Sequence, residues 1–156
     1  MNSLPLDWAA RFSVGGTNMN FYIVEQLPVL PPETYLDRVR YDLPSFVEMI
    51  VPRAVRLSYT ANDLECFAKE LGFIGPPYAW NADRRHRLQC ELDAIFAHMY
   101  RLDRADLEWI LDPEDPSASF PTLRRKEVET FGEYRTKRLV LDAYDQLDSG
   151  RMPHLV

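Results

Sequence analysis

Residues 82 to 100 constrain the fold more than any other stretch. Leu88, Leu92, Ile95, Phe96 and Met99 fall at i, i+4, i+7, i+8 and i+11. That spacing lays them on one continuous helical face, which needs other apolar surface to cover it. A chain of 156 residues, 46% hydrophobic and 27% charged, has enough apolar residues to supply that cover within one domain.

The flanking segments read mostly as helix too. Residues 3 to 12 predict a short one, with Ser3 able to cap it and Pro5 tolerated in the first turn. Gly15 and Gly16 break it. Phe21, Tyr22, Ile23 and Val24 make a short β-rich run, so a strand is expected there. Pro28, Pro31 and Pro32 then stop any regular element. Residues 44 to 58 predict a helix that Pro52 should kink or split. Thr60 and Asp63 resemble a capping box for a helix over 61 to 71, ending at Gly72.

Asp103 is placed to cap a further helix, with Leu107, Ile110 and Leu111 on its inner side. "DPEDPSASFP" reads as a loop. Helices over 122 to 130 and 133 to 149, separated by Gly132, close the chain, and Val140, Ala143, Tyr144 and Leu147 stripe the last. The expected class is mainly α: a bundle-like helical C-terminal region with a small β element near the N-terminus.

Composition narrows function only broadly. The formal net charge is -6, so the chain as a whole does not present as a nucleic-acid binder. Two cysteines, Cys66 and Cys90, are expected as buried free thiols in a reducing cytoplasm. No apolar run approaches a membrane span, and no signal peptide is evident.

"GFIGPPYAW" raises a specific question of chemistry. Amino-group DNA methyltransferases carry an Asn/Asp-Pro-Pro-Tyr/Phe loop, and Gly75-Pro76-Pro77-Tyr78 is one letter from it. In that loop the first side chain accepts a hydrogen bond from the target amine, and the aromatic stacks on the flipped base. Gly75 has no side chain to accept with. The segment also follows a helix, where the catalytic loop should follow a buried strand. The expectation is therefore a stiffened turn, with Tyr78 and Trp80 packed on the core. No Gly-x-Gly turn for a methyl-donor pocket occurs.

The histidines are 86, 98 and 154, and their spacing to the cysteines makes no metal cluster. His86, among arginines, is expected to be solvated, and His98 partly buried. Neither Glu-x-Lys nor Asp-x-Lys, a pattern found in metal-dependent nucleases, is present.

One charge feature stands out. Between Thr122 and Val140, Arg124, Arg125, Lys126, Arg135, Lys137 and Arg138 outweigh three acids, giving +3 and leaving -9 on the remainder of a chain of -6. Such a patch can track a phosphate backbone. It can equally be a solvated face, or a set of ion pairs to the acidic remainder.

Three segments carry a resemblance. "NSLPLDWAARFSVGGTNMNFYIVEQLPVLPPETY" resembles a stretch near the end of the recognition region in large restriction–modification DNA adenine methyltransferases, the type IIG-like enzymes and their relatives. "LSYTANDLECFAKELGFIGPPYAWNADRRHRLQCELDAIFAHMYRLDRADLEWIL" is similar to the helical region that follows, and "FPTLRRKEVETFGEYRTKRLVLDAYDQL" to the closing segment. The order matches and nearly the whole chain is covered. None of the three is a catalytic motif.

The resemblance implies a C-terminal piece of a larger enzyme, as a fragment or a split gene would be. Residues 1 to 42 would be the remnant of a target-recognition region and 43 to 156 a C-terminal helical domain. Full-length relatives use S-adenosylmethionine to methylate adenine, and some add a nuclease. Their catalytic and cofactor residues lie upstream, so none is carried over and the chain is expected to be inactive alone.

Double-stranded DNA and an upstream or separately encoded methyltransferase are the implied partners, in a cytoplasmic phage-defence setting. Arg124, Arg125, Lys126, Arg135, Lys137 and Arg138 become expected backbone contacts, which position without specifying sequence. Asn18 and Asn20 are better explained by turn chemistry. The alternative is a module that docks on such a partner without touching DNA.

Overall fold

The computed structural model describes residues 3–14, 20–115 and 119–153. Gly15, Gly16, Asn18, His154 and the centre of the "DPEDPSASFP" loop lie outside the described residues.

Eight α-helices are present among those residues: α1 (Leu4–Ser13), α2 (Phe21–Glu25), α3 (Phe46–Ser58), α4 (Glu65–Glu70), α5 (Ala82–Met99), α6 (Arg104–Leu111), α7 (Pro121–Phe131) and α8 (Arg135–Asp148). Short 3-10 turns cover Pro32–Leu36 and Asn62–Leu64. The mainly helical class is as expected.

The expected β element is not. The run from Phe21 forms helix α2, and no strand occurs among the described residues. Asn20 takes the extended N-cap conformation, so the helix starts directly after it. A short apolar run does not separate helix from strand, and no second strand is present to pair with this one.

α5 is the hub. It packs most extensively on α8, then on α3, with α1 also against it. Leu88, Ile95 and Met99 are buried as their spacing requires. So are Cys90, Ala94 and Ala97 on other sides of the helix. These small residues let neighbouring helices close around it, so its buried surface is wider than the single stripe read from the sequence. α8 answers with Val140, Ala143, Tyr144 and Leu147, and α6 with Leu107, Ile110 and Leu111. Leu4, Leu30, Tyr35 and Val39 pack against this core from the N-terminal side.

α3 runs unbroken through Pro52. Its start is a capping box: Glu48 Oε2 accepts from the Ser45 backbone amide at 2.8 Å and from the Ser45 hydroxyl at 2.6 Å. A proline inside a helix removes one amide donor and crowds the turn before it. Next to Pro52, the buried Arg53 donates Nη1 to the Met49 carbonyl at 2.8 Å.

The same guanidinium donates Nε to Glu91 Oε2 on α5 at 2.7 Å and Nη2 to the Pro153 carbonyl at 3.1 Å. Burial holds the Glu91 carboxyl above its usual range, although Arg53 works the other way.

Helix ends follow backbone chemistry. α4, α5 and α8 close with paired Schellman-type bonds: Phe73 N to Ala68 O, Leu102 N to Ala97 O and Arg151 N to Gln146 O. The left-handed residues at these three ends are Gly72 (φ 81°), Arg101 (φ 56°) and Gly150 (φ 78°), and Gly132 (φ 75°) takes the same conformation after α7. The capping box expected at Thr60 and Asp63 is absent, since Ala61 precedes the 3-10 turn and no side chain caps it. Asp103 and Asp106 form one at α6. Cys90 is buried, whereas Cys66 on α4 is exposed, against the expectation of two buried thiols.

Candidate functional site

Gly75-Pro76-Pro77-Tyr78 is a turn. The Tyr78 amide donates to the Tyr59 carbonyl at 2.9 Å, and the buried Tyr59 hydroxyl donates to the Gly75 carbonyl at 3.2 Å. Tyr78 rests on Phe73, ring centroids 4.9 Å apart. Trp80 does not pack inward as expected. It is 70% exposed and lies under the Arg85 guanidinium, 3.9 Å from ring centroid to Cζ.

The six basic residues expected to face DNA do not form one stripe. Arg124, Arg125 and Lys126 sit on α7, and Arg135, Lys137 and Arg138 on the first turns of α8. At about 100° per residue, positions two apart on a helix point nearly opposite ways. Arg135 reaches Asp83 on α5 at 2.8 Å and covers Phe131. Lys137 turns to Glu108 and Asp112, 3.1 Å from each. Arg138 folds back on Glu133 at 2.9 Å. Arg124 meets Asp112 at 3.0 Å. Of these six, only Arg125 and Lys126 are exposed without an ion pair to a described residue.

These pairs join into a chain across three helices. Arg124 of α7 and Lys137 of α8 share Asp112, Lys137 and Arg104 share Glu108 on α6, and Arg104 returns to Asp145 on α8. Burial works against the charge on Lys137, but its bonds to Glu108 and Asp112 hold its pKa above the ordinary value.

A second junction lies beside it. Glu127 on α7 is buried and accepts from the Thr136 amide at 2.7 Å and the Thr136 hydroxyl at 2.6 Å, which caps the start of α8. With its proton given to Glu127, the Thr136 oxygen accepts from His86 Nε2 at 2.8 Å. His86 is thus half-buried, not solvated as its arginine neighbours suggested. Burial pushes its pKa down, against the pull of Glu127.

Cys90 and Asp93 border the same cleft of about 470 Å³. Burial drives the Cys90 thiol strongly upward, so it does not act as a thiolate. His98 stacks on Tyr144, centroids 3.9 Å apart, as a partly buried side chain should.

Aromatic surface collects elsewhere. Trp8 on α1 contacts Phe12 at 4.7 Å and Trp109 of α6 at 5.7 Å between ring centroids. Phe12 is 66% exposed and Trp109 50%. On α2, Phe21 and Tyr22 are also exposed. Asn20 is exposed at the N-cap of α2, with no side-chain cap bond.

Compared with known proteins, the chain matches no family model, no curated protein and no solved structure. No described helix is long and apolar enough to cross a membrane.

Proposed function

We propose that the chain is a non-catalytic helical segment of the adenine-specific DNA methyltransferase class, one that supports the recognition region by docking on the methyltransferase. The observation that carries the docking role is the aromatic cluster of Trp8, Phe12 and Trp109, which pairs two helices yet leaves two of its rings largely in solvent. The sequence resemblance supplies the class of partner: an S-adenosylmethionine-dependent enzyme, upstream in the same polypeptide or separately encoded.

Docking is favoured over direct DNA reading because four of the six basic residues serve the chain's own acids. A second reading, backbone contact to duplex DNA, rests on Arg125 and Lys126.

The test is purification of the tagged chain from its source cells, followed by assay of methyl transfer to adenine in DNA. Activity is expected to co-purify with the wild type and to be lost with Phe12→Glu/Trp109→Glu. The same chain made in a methylation-deficient host should transfer no methyl group. Transfer by that pure chain, or an inactive eluate from source cells, overturns the reading.

A further inference from the structure

The turn that displaces Trp80 from the core also builds a basic cleft. Arg56 of α3 and Arg84 and Arg85 of α5 line a space of about 170 Å³, with Tyr78 and Asn81 completing its wall. No acidic residue is among the described lining residues. On a chain of net charge -6, three guanidiniums around one small cleft are a local reversal of sign.

The cations are held in place. Arg85 donates Nη1 to the Leu57 carbonyl at 2.6 Å and is braced against Trp80. The Arg56 guanidinium lies over the Tyr78 ring at 5.6 Å. Asn81 Oδ1 accepts from the Arg84 amide at 2.8 Å and so fixes where α5 begins. The Arg84 side chain is exposed and makes no ion pair among the described residues.

We propose that this cleft binds single-stranded nucleic acid, with a backbone phosphate among Arg56, Arg84 and Arg85 and an unpaired base on the exposed ring of Trp80. At about 170 Å³ the cleft is close to the size of a cavity that holds one benzene molecule, enough for one phosphate group but not for a whole nucleotide. The base must therefore sit outside the cleft, where Trp80 stands. Guanidinium forks suit phosphate oxygens, and a flat aromatic ring suits any base face. In a duplex the base faces are already stacked on each other, so the ring selects for an unpaired strand. An acidic peptide would use the arginines and leave the indole idle. The inference is independent of the docking reading, because it needs no partner protein.

Fluorescence anisotropy of a labelled oligothymidine of about 12 nucleotides tests it on the pure chain at low salt. Trp80→Ala and Arg84→Glu are each expected to weaken binding at least tenfold, with melting curves like the wild type. Glu is favoured in the first turn of a helix, so the second variant does not endanger the fold. Arg125→Ala/Lys126→Ala should change the affinity less than twofold, and poly-glutamate should compete poorly. The proposal is overturned if the wild type does not bind. It is also overturned if both cleft variants bind like the wild type, or if poly-glutamate or a duplex of equal length competes as well as the free strand.

Discussion

Arg53 and Glu91 form an ion pair of 2.7 Å inside the helical core, with the Arg53 side chain fully buried. It joins α3 to α5, and Arg56 and Arg87 are the other cations that act on Glu91. Removing one partner of such a pair leaves a charge with nothing to balance it. Arg53→Met is expected to destabilise the protein by about 3–5 kcal/mol. Arg53→Met/Glu91→Met should recover more than half of that loss, since both charges then go together. Urea unfolding of the three proteins measures both numbers. A double variant no more stable than the single one would mean that the Met49 and Pro153 carbonyls, and not the charge, dominate.

Asp93 gives a pH dependence of definite sign. It is buried on α5, its Oδ1 accepts from the Leu4 amide at 2.8 Å, and burial pushes its carboxyl up to about 7 from 3.8. Between those values the folded protein keeps a proton that the unfolded chain has released. Its contribution therefore falls as pH rises through that window and levels off above it. Asp93→Asn keeps the acceptor for Leu4 and removes the charge. The variant should be more stable than the wild type at pH 8, by a few kcal/mol at most, and nearly equal to it at pH 4. Thermal melts at the two pH values decide it.

Arg101 occupies a position that glycine fills at the ends of α4 and α8. Its φ of 56° carries the steric penalty of a side chain in the left-handed region. Arg101→Gly should stabilise the protein by about 0.5–1 kcal/mol, after the greater freedom of glycine in the unfolded chain is counted. The readout is a rise in Tm of roughly 2 °C.

The two kinds of basic residue on α7 and α8 should separate by experiment. Arg125→Ala/Lys126→Ala is expected to leave Tm unchanged and to lower the salt slope of any duplex DNA binding by about 2. Arg135→Ala/Lys137→Ala/Arg138→Ala should lower Tm first, because it severs contacts to α5 and α6. A triple variant with a native melt and a flattened salt slope would make those three residues phosphate contacts instead.

Much of the fold was legible because helical periodicity is a local property. The stripe on α8 and the inner side of α6 are buried as their spacing demands. The run at Phe21 was not legible, because so short an apolar run fits either period and no neighbouring strand decides it. The basic residues show the same limit for charge. The acids that Lys137 meets precede it by 25 and 29 residues, and the acid that Arg135 meets by 52. Position along the chain locates a cation but not the acid that will face it. Trp80 and Arg84-Arg85 lay close together in the sequence, yet only the turn around Tyr78 shows that the indole remains outside.

The bond from Arg53 to the Pro153 carbonyl spans 100 residues of chain. During synthesis Glu91 emerges early enough to meet Arg53, but Pro153 follows it by roughly 3 to 12 seconds at about 5–20 residues per second. Through that interval the guanidinium has one hydrogen-bonding arm without its final acceptor. The hydrogen bonding of the buried guanidinium is therefore completed only after the last described helix has been made.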